Sequence, residues 1–241
     1  DAAAGQTVFH LHVHVIPRYW GDVTDPRGGV RYVLPTRGNY LVRDSQAPWY
    51  QPLAASDANL STGPENPLLP RLVADLGQAT EADIAVAFAL TSGVQLLMPH
   101  LRDFLTRNGK LRVLAGDYLN VTDPVALSMF LDLEGRREIR VFETQQSVSF
   151  HLKTYIFRFP DGSGRAYVGS SNISRSALQD GVEWNYRIVS SSSGEDFRNI
   201  SDQFRVLFSH QKAAEIDEDW IDGYHSRRPK DAVTVPEIVA P

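Results

Sequence analysis

From residue 67 the chain alternates between two hydrophobic periods. The stretch "PLLPRLVADLGQA" spaces its apolar positions three and four apart, the period of a helix with one buried face. The unbroken apolar run "ADIAVAFAL" then reads as a strand covered on both sides. "GVQLLMPHLRDFLTRNG" returns to the helical period and closes on Gly109, and "KLRVLAGD" is the next strand. In "DPVALSMFLDL", Asp123 and Pro124 occupy a helix start. "REIRVFE", "GRAYVGS" and "VEWNYRIVS" predict further strands, as does the opening stretch of the chain, and "GEDFRNISDQFRVLFSHQKAAEI" predicts a last helix. Helices alternate with strands first and strands then follow one another. The expected fold class is therefore α/β, a mixed β-sheet flanked by helices.

The rest of the chain has a different texture. Residues 1–44 hold a short β segment followed by Gly/Pro-rich loops, and residues 45–66 have the composition of a linker. Residues 67–228 form the α/β domain, and residues 229–241, rich in Pro and Val without a helical period, read as a second linker leading towards a further domain.

Composition narrows the function. With 42% hydrophobic and 22% charged residues the chain has ample material for a core. No cysteine is present, which excludes disulfides and thiolate metal sites and suits a reducing compartment. No apolar run approaches a membrane span and the first residues lack a signal-peptide pattern, so the expectation is a cytoplasmic protein without a membrane partner. A net charge of −5 argues against a general nucleic-acid coat and leaves room only for a local groove.

The chemistry concentrates between residues 151 and 183. In "SVSFHLKTYIFRF", side chains two apart share a strand face, which puts His151, Lys153 and Tyr155 on one side and Phe150, Leu152 and Ile156 on the other. A histidine and a lysine on a half-exposed strand are usually solvated surface. Here "GRAYVGSSNISRSALQDGVEWN" follows, with Gly169, Ser170 and Asn172 where a strand passes into a helical turn, and Glu183 beyond. Such a turn can cradle an anion with backbone N–H groups and small polar side chains. The set suits phosphoryl transfer without a metal or cofactor. His151 would attack phosphorus while Lys153 and Asn172 offset charge on the nonbridging oxygens, and Glu183 would orient the imidazole.

These residues, "HLKTYIFRFPDGSGRAYVGSSN", resemble the signature of the phospholipase D-like superfamily, H-x-K-x4-D-x6-G-S-x-N with a later glutamate. The likeness covers roughly residues 67–225. It implies His151, Lys153, Asn172, Glu183 and Ser170 as catalytic residues, with Gly169, Ser171, Arg158 and Tyr155 contacting substrate. Arg158 stands where the signature has aspartate, and the lysine-to-glycine interval is four residues longer, as a longer hairpin through "PDGSG" would make it. The family builds each site from two motifs. The literal second match, "HQKAAEID" at residues 210–217, sits in a helical pattern with no G-S-x-N after it and is set aside. A C2 homodimer pairing two copies of His151 is then the simplest completion.

A second resemblance lies near the start. "GQTVFHLHVHVIPR" places His10, His12 and His14 on one strand face with apolar spacers behind, as in the histidine-triad (HIT) family, whose middle histidine, here His12, attacks a nucleotide phosphate. That family's nucleotide-binding body would precede the segment. HIT-like and phospholipase D-like modules in one chain resemble the front of bacterial DEAD/DEAH-type helicase proteins, which implies a piece of a longer protein with a helicase/ATPase domain to follow, although no G-x-x-x-x-G-K-[ST] occurs here. The leading expectation is a metal-independent phosphodiesterase acting on nucleic acid, DNA before RNA, with Arg165, Arg175, Trp184 and Arg187 as further groove candidates. Trp184 alternates with Val182 and equally suits a core position. The alternatives are a non-catalytic DNA-docking module, a HIT-type nucleotide hydrolase and a lipid phosphodiesterase.

Overall fold

A computed structural model describes residues 59–144 and 149–228. They belong to one compact unit, Leu53–Pro241. His10, His12 and His14, most of the 45–66 linker and the 229–241 tail lie outside the described residues.

The strands are β1 (Leu60–Ser61), β2 (Glu81–Val86), β3 (Lys110–Gly116), β4 (Arg136–Phe142), β5 (Lys153–Arg158), β6 (Gly164–Gly169), β7 (Asn185–Val189) and β8 (Ala213–Glu215). The helices are α1 (Leu69–Leu76), α2 (Thr91–Thr106), α3 (Pro124–Leu131), α4 (Gly194–Phe208) and α5 (Glu218–Arg227). The strands make one mixed sheet in the order β1-β7-β6-β5-β2-β3-β4-β8. β2, β3 and β4 run parallel because α2 and α3 carry the chain back between them, while β5, β6 and β7 pair antiparallel as a meander. This is the mixed α/β architecture the periodicity predicts.

Strand alternation sorts the core into two layers. Ala82, Ile84, Val113, Val141, Tyr155 and Phe157 face the layer under α1, α2, α3 and α5, whereas Ala85, Leu114, Ile156 and Ala166 face α4 through Phe197, Phe204 and Phe208. Asp123 caps α3 by accepting from Val125 N at 3.1 Å, and it also accepts from Thr91 Oγ1 at 2.5 Å, which ties the starts of α2 and α3 together.

The predicted last helix is broken in two. α4 ends at Phe208, a turn follows, and β8 pairs with β4 before α5 begins under an Asp217 cap, whose side chain accepts from Trp220 N at 2.8 Å. Residues 210–217 are thus turn and edge strand, and the His210 ring is tilted against Phe142 (centroids 5.5 Å apart) near the β8 edge of the sheet. Buried Ala213 at the start of β8 and buried Ile216 just after it, three residues apart, mimic a helical period in "SHQKAAEI".

Candidate active site

The site begins where β5 begins. Phe150 is buried and stacks on Phe142 with centroids 4.8 Å apart, which pins the approach to β5 and turns the next residue, His151, to the exposed side. The His151 ring meets the edge of Tyr118, centroid to centroid 5.0 Å at 66°. Lys153 Nζ donates to the main-chain carbonyl of His151 at 2.7 Å. Partial burial lowers the Lys153 pKa, and the negative charge of Glu183 works against that shift.

Opposite, the end of β6 delivers the small-residue segment. Ser170 N donates to Trp184 O at 3.0 Å and Ser170 Oγ accepts from Trp184 N at 3.1 Å, while the same hydroxyl donates to the Glu183 carboxylate. Gly169 is required for this approach, because a Cβ there would run into the Trp184 carbonyl and Asn185. Gly93 does the same for the other wall: a Cβ on the first turn of α2 would collide with the backbone of Ile173 and Ser174. Asn172 is buried, its Oδ1 accepts from Phe88 N at 3.2 Å, and its Nδ2 carries no hydrogen bond among the described residues. That leaves a fixed amide with donors to offer.

Lys153 opens β5 and His151 lies just before the strand rather than on it as the sequence suggests, Ser170 and Asn172 follow β6, and Glu183 precedes β7; β5, β6 and β7 are neighbours in the sheet. Within one chain Glu183 is hydrogen-bonded to Ser170 and not to the imidazole, and the His151 ring has no hydrogen bond among the described residues.

Three expected substrate contacts are corrected. Tyr155 is 1% exposed and its hydroxyl donates to Ser171 O at 3.0 Å, with burial pushing its pKa up, so it is core. The face it shares with Lys153 is polar only at its first residues; further along, α1 and α2 cover it. Ser171 is fully buried, its hydroxyl donating to Ala177 O at 3.0 Å and accepting from Asn185 Nδ2 at 2.8 Å, so it fastens the loop. Arg158 lies at the other end of β5, ~17 Å along the strand from Lys153, where it binds Asp83 at 2.7 Å and Glu81 at 3.3 Å.

That last cluster shows what Arg158 does in place of the signature aspartate. Asp83 on β2 is 1% exposed and also takes both Nε and Nη2 of Arg112 on β3, at 2.7 and 2.8 Å. The position where the signature has aspartate thus carries a cation paired with a buried carboxylate on the neighbouring strand. Arg165 is likewise spent on Asp75 and the face of Phe159. Trp184, in contrast, is 65% exposed and not core. Tyr118 and Asn185 were not singled out from the sequence; Tyr118 reaches His151 from a segment more than thirty residues away, and Asn185 fastens the loop through Ser171, contacts for which no motif spacing exists.

The family model for the cardiolipin synthase PLD-like domain matches residues 72–212. The chain belongs to the phospholipase D-like family. A HIT-domain model matches residues 1–21 only, a span that includes His10, His12 and His14 but stops short of residue 44. No curated protein matches the sequence. Among solved structures, the phospholipase D-like domain is similar to NucT from Helicobacter pylori (12% identity, TM-score 0.50, covering 65% of this chain and 97% of NucT). It is also similar to phosphatidylserine synthase from Haemophilus influenzae (13%, 0.44, covering 65% and 38%) and to yeast tyrosyl-DNA phosphodiesterase (11%, 0.35, covering 53% and 31%). The chain thus spans about a third of the latter two. Among the described residues no helix is long and apolar enough to cross a membrane.

Proposed function

We propose that residues 67–228 are a phosphodiesterase of nucleic acid, DNA in the first instance, that works through a phosphohistidine on His151. The observation that carries this reading is the ammonium of Lys153 fixed on the His151 carbonyl, next to an exposed imidazole. An imidazole nitrogen of His151 attacks phosphorus and the P–O bond to the leaving group breaks, so the departing oxygen needs a proton. Lys153 and the free Nδ2 donors of Asn172 offset charge on the nonbridging oxygens. Water then displaces the imidazole from phosphorus and the phosphate ester is released. Neither step requires a metal.

One chain supplies one such histidine, so the leaving-group proton comes from a second copy. Support for a homodimer is the apolar rim of this half-site. Val168 is 37% exposed, Val182 84%, Trp184 65% and Tyr186 54%. Val168 and Tyr186 are register partners on the sheet face that α4 covers further along, through Ala166 and Ile188. Aromatic and aliphatic surface of this kind is typical of homodimer interfaces, and Glu183 stands between two of its members.

The test is cleavage of labelled DNA in EDTA by the protein and by His151→Ala, with acid-stable and acid-labile adducts compared after quenching. Metal-independent cutting with an acid-labile adduct, both lost in the variant, is expected. DNA that is bound but never cut replaces this reading with a docking module. The motor domain expected from the joined HIT-like and phospholipase D-like modules rests on that resemblance alone and the reaction does not need it.

A further inference from the structure

We propose that Tyr118 is a positioning residue for the nucleophile, held in place by a strained turn that α5 locks from behind. The inference rests on the reading of His151 as the attacking group and adds a residue outside the motif to its site. Three observations carry it.

First, among the described residues the imidazole has no hydrogen bond to fix its rotamer, and the Tyr118 ring, edge-to-face at 5.0 Å, is its one ring contact. An edge-to-face pair restricts ring rotation while leaving both nitrogens open. A nucleophile whose proton inventory must change during turnover gains orientation without losing a lone pair.

Second, Tyr118 opens a short 3-10 turn, Tyr118–Asn120, in which Leu119 has φ 55° and Asn120 φ 53°. Asparagine tolerates this left-handed region, but leucine is strained there by its Cβ. Leu119 is also 59% exposed, so no burial of its side chain compensates the strain. Backbone strain of this kind persists only where surrounding structure over-determines it.

Third, the over-determination is visible. Asp117 Oδ1 accepts from Thr144 N at 2.7 Å and from Thr144 Oγ1 at 2.8 Å, and Asn120 N donates to Asp117 O at 2.9 Å. Arg228, which follows α5, donates from Nε to Asn120 O at 2.9 Å, and the buried Tyr224 hydroxyl donates to Thr122 O at 3.0 Å. Arg227 approaches the other Asp117 oxygen at 3.7 Å. Thus a helix whose residues lie outside the motif holds the turn that presents Tyr118 to His151.

Two readouts test it on the whole chain: DNA cleavage, and the side-chain NMR signals of His151, assigned by their loss in His151→Ala. In Tyr118→Ala the His151 ring signals should shift and broaden, and kcat should fall about 10-fold to 100-fold with KM little changed. Tyr118→Phe, which keeps the ring, should restore both to within about threefold of the parent. Arg228→Ala should move the same His151 signals in the same direction. The proposal is overturned if Tyr118→Ala leaves the His151 signals where they are, or if Tyr118→Phe is as impaired as Tyr118→Ala. Should the parent protein cut no DNA, the phosphodiesterase reading fails while the NMR arm still decides the role of Tyr118.

Discussion

Lys153, the first residue of β5, reaches back to the carbonyl of His151, so this cation beside the candidate nucleophile is anchored by that residue's main chain. A two-residue spacing on an extended segment brings the groups to one side, and the hydrogen bond then holds the ammonium near the imidazole. Four outcomes are expected, at this pair and in the fold that carries it.

The first concerns pH. Burial holds the Lys153 pKa below the ordinary lysine range, and Glu183 opposes the shift. Lysine with a lowered pKa loses its charge earlier as pH rises, so the alkaline limb of activity should fall at lower pH than for an ordinary lysine. Glu183→Gln removes the opposing charge and should move that limb further down. The corresponding stability sign is opposite: the folded state binds the Lys153 proton more weakly than the unfolded chain, so this group's contribution to stability improves as pH rises through the folded pKa. A pH–rate profile of both proteins checks the direction, and an upward shift in Glu183→Gln would refute it.

The second concerns Arg158. Asp83→Asn removes the buried carboxylate that two arginines share, leaving Arg158 only the more exposed Glu81, and should destabilise the fold by roughly 3–5 kcal/mol. Arg158→Ala should cost less, since Arg112 keeps Asp83 paired. Arg158→Asp, which writes the family's letter back, sets a second carboxylate beside Asp83 and should be less stable than Arg158→Ala. Urea denaturation of the three variants orders them.

The third concerns close approach. Gly93→Ala pushes on the backbone of Ile173 and Ser174, next to Asn172. A backbone neighbour cannot move aside as a side chain can, so a loss of about 1–3 kcal/mol is expected, with reduced turnover in whatever remains folded at low temperature. Thermal unfolding and single-turnover cleavage measure the two effects separately. Gly162→Ala, in the β5–β6 hairpin with open space around it and φ 81°, should cost only its backbone strain and leave turnover unchanged.

The fourth concerns assembly. Replacing Trp184 and Val182 together by serine removes the most exposed apolar groups beside Glu183. Light scattering should show the parent as a dimer and the double variant as a monomer at micromolar concentration, with cleavage lost and folding intact by circular dichroism. A parent that is monomeric at all concentrations tested would sink the paired-histidine scheme.

The sequence by itself determined the α/β class, the order of most elements and the start of α3 at Asp123–Pro124, and it singled out His151, Lys153, Ser170, Asn172 and Glu183 as candidates. Those are local: hydrophobic period, capping and spacing within one short stretch record them, and a strand pair turns spacing into proximity. Tertiary structure alone decided that Tyr155 and Ser171 are buried fasteners, that Arg158 answers Asp83, that "HQKAAEID" is turn and edge strand, and that Tyr118 meets the imidazole. Each of these depends on which strand lies beside which, or on what a helix covers, and the sheet order β5-β2-β3 that brings Arg158, Asp83 and Arg112 together has no counterpart in the linear order of the chain.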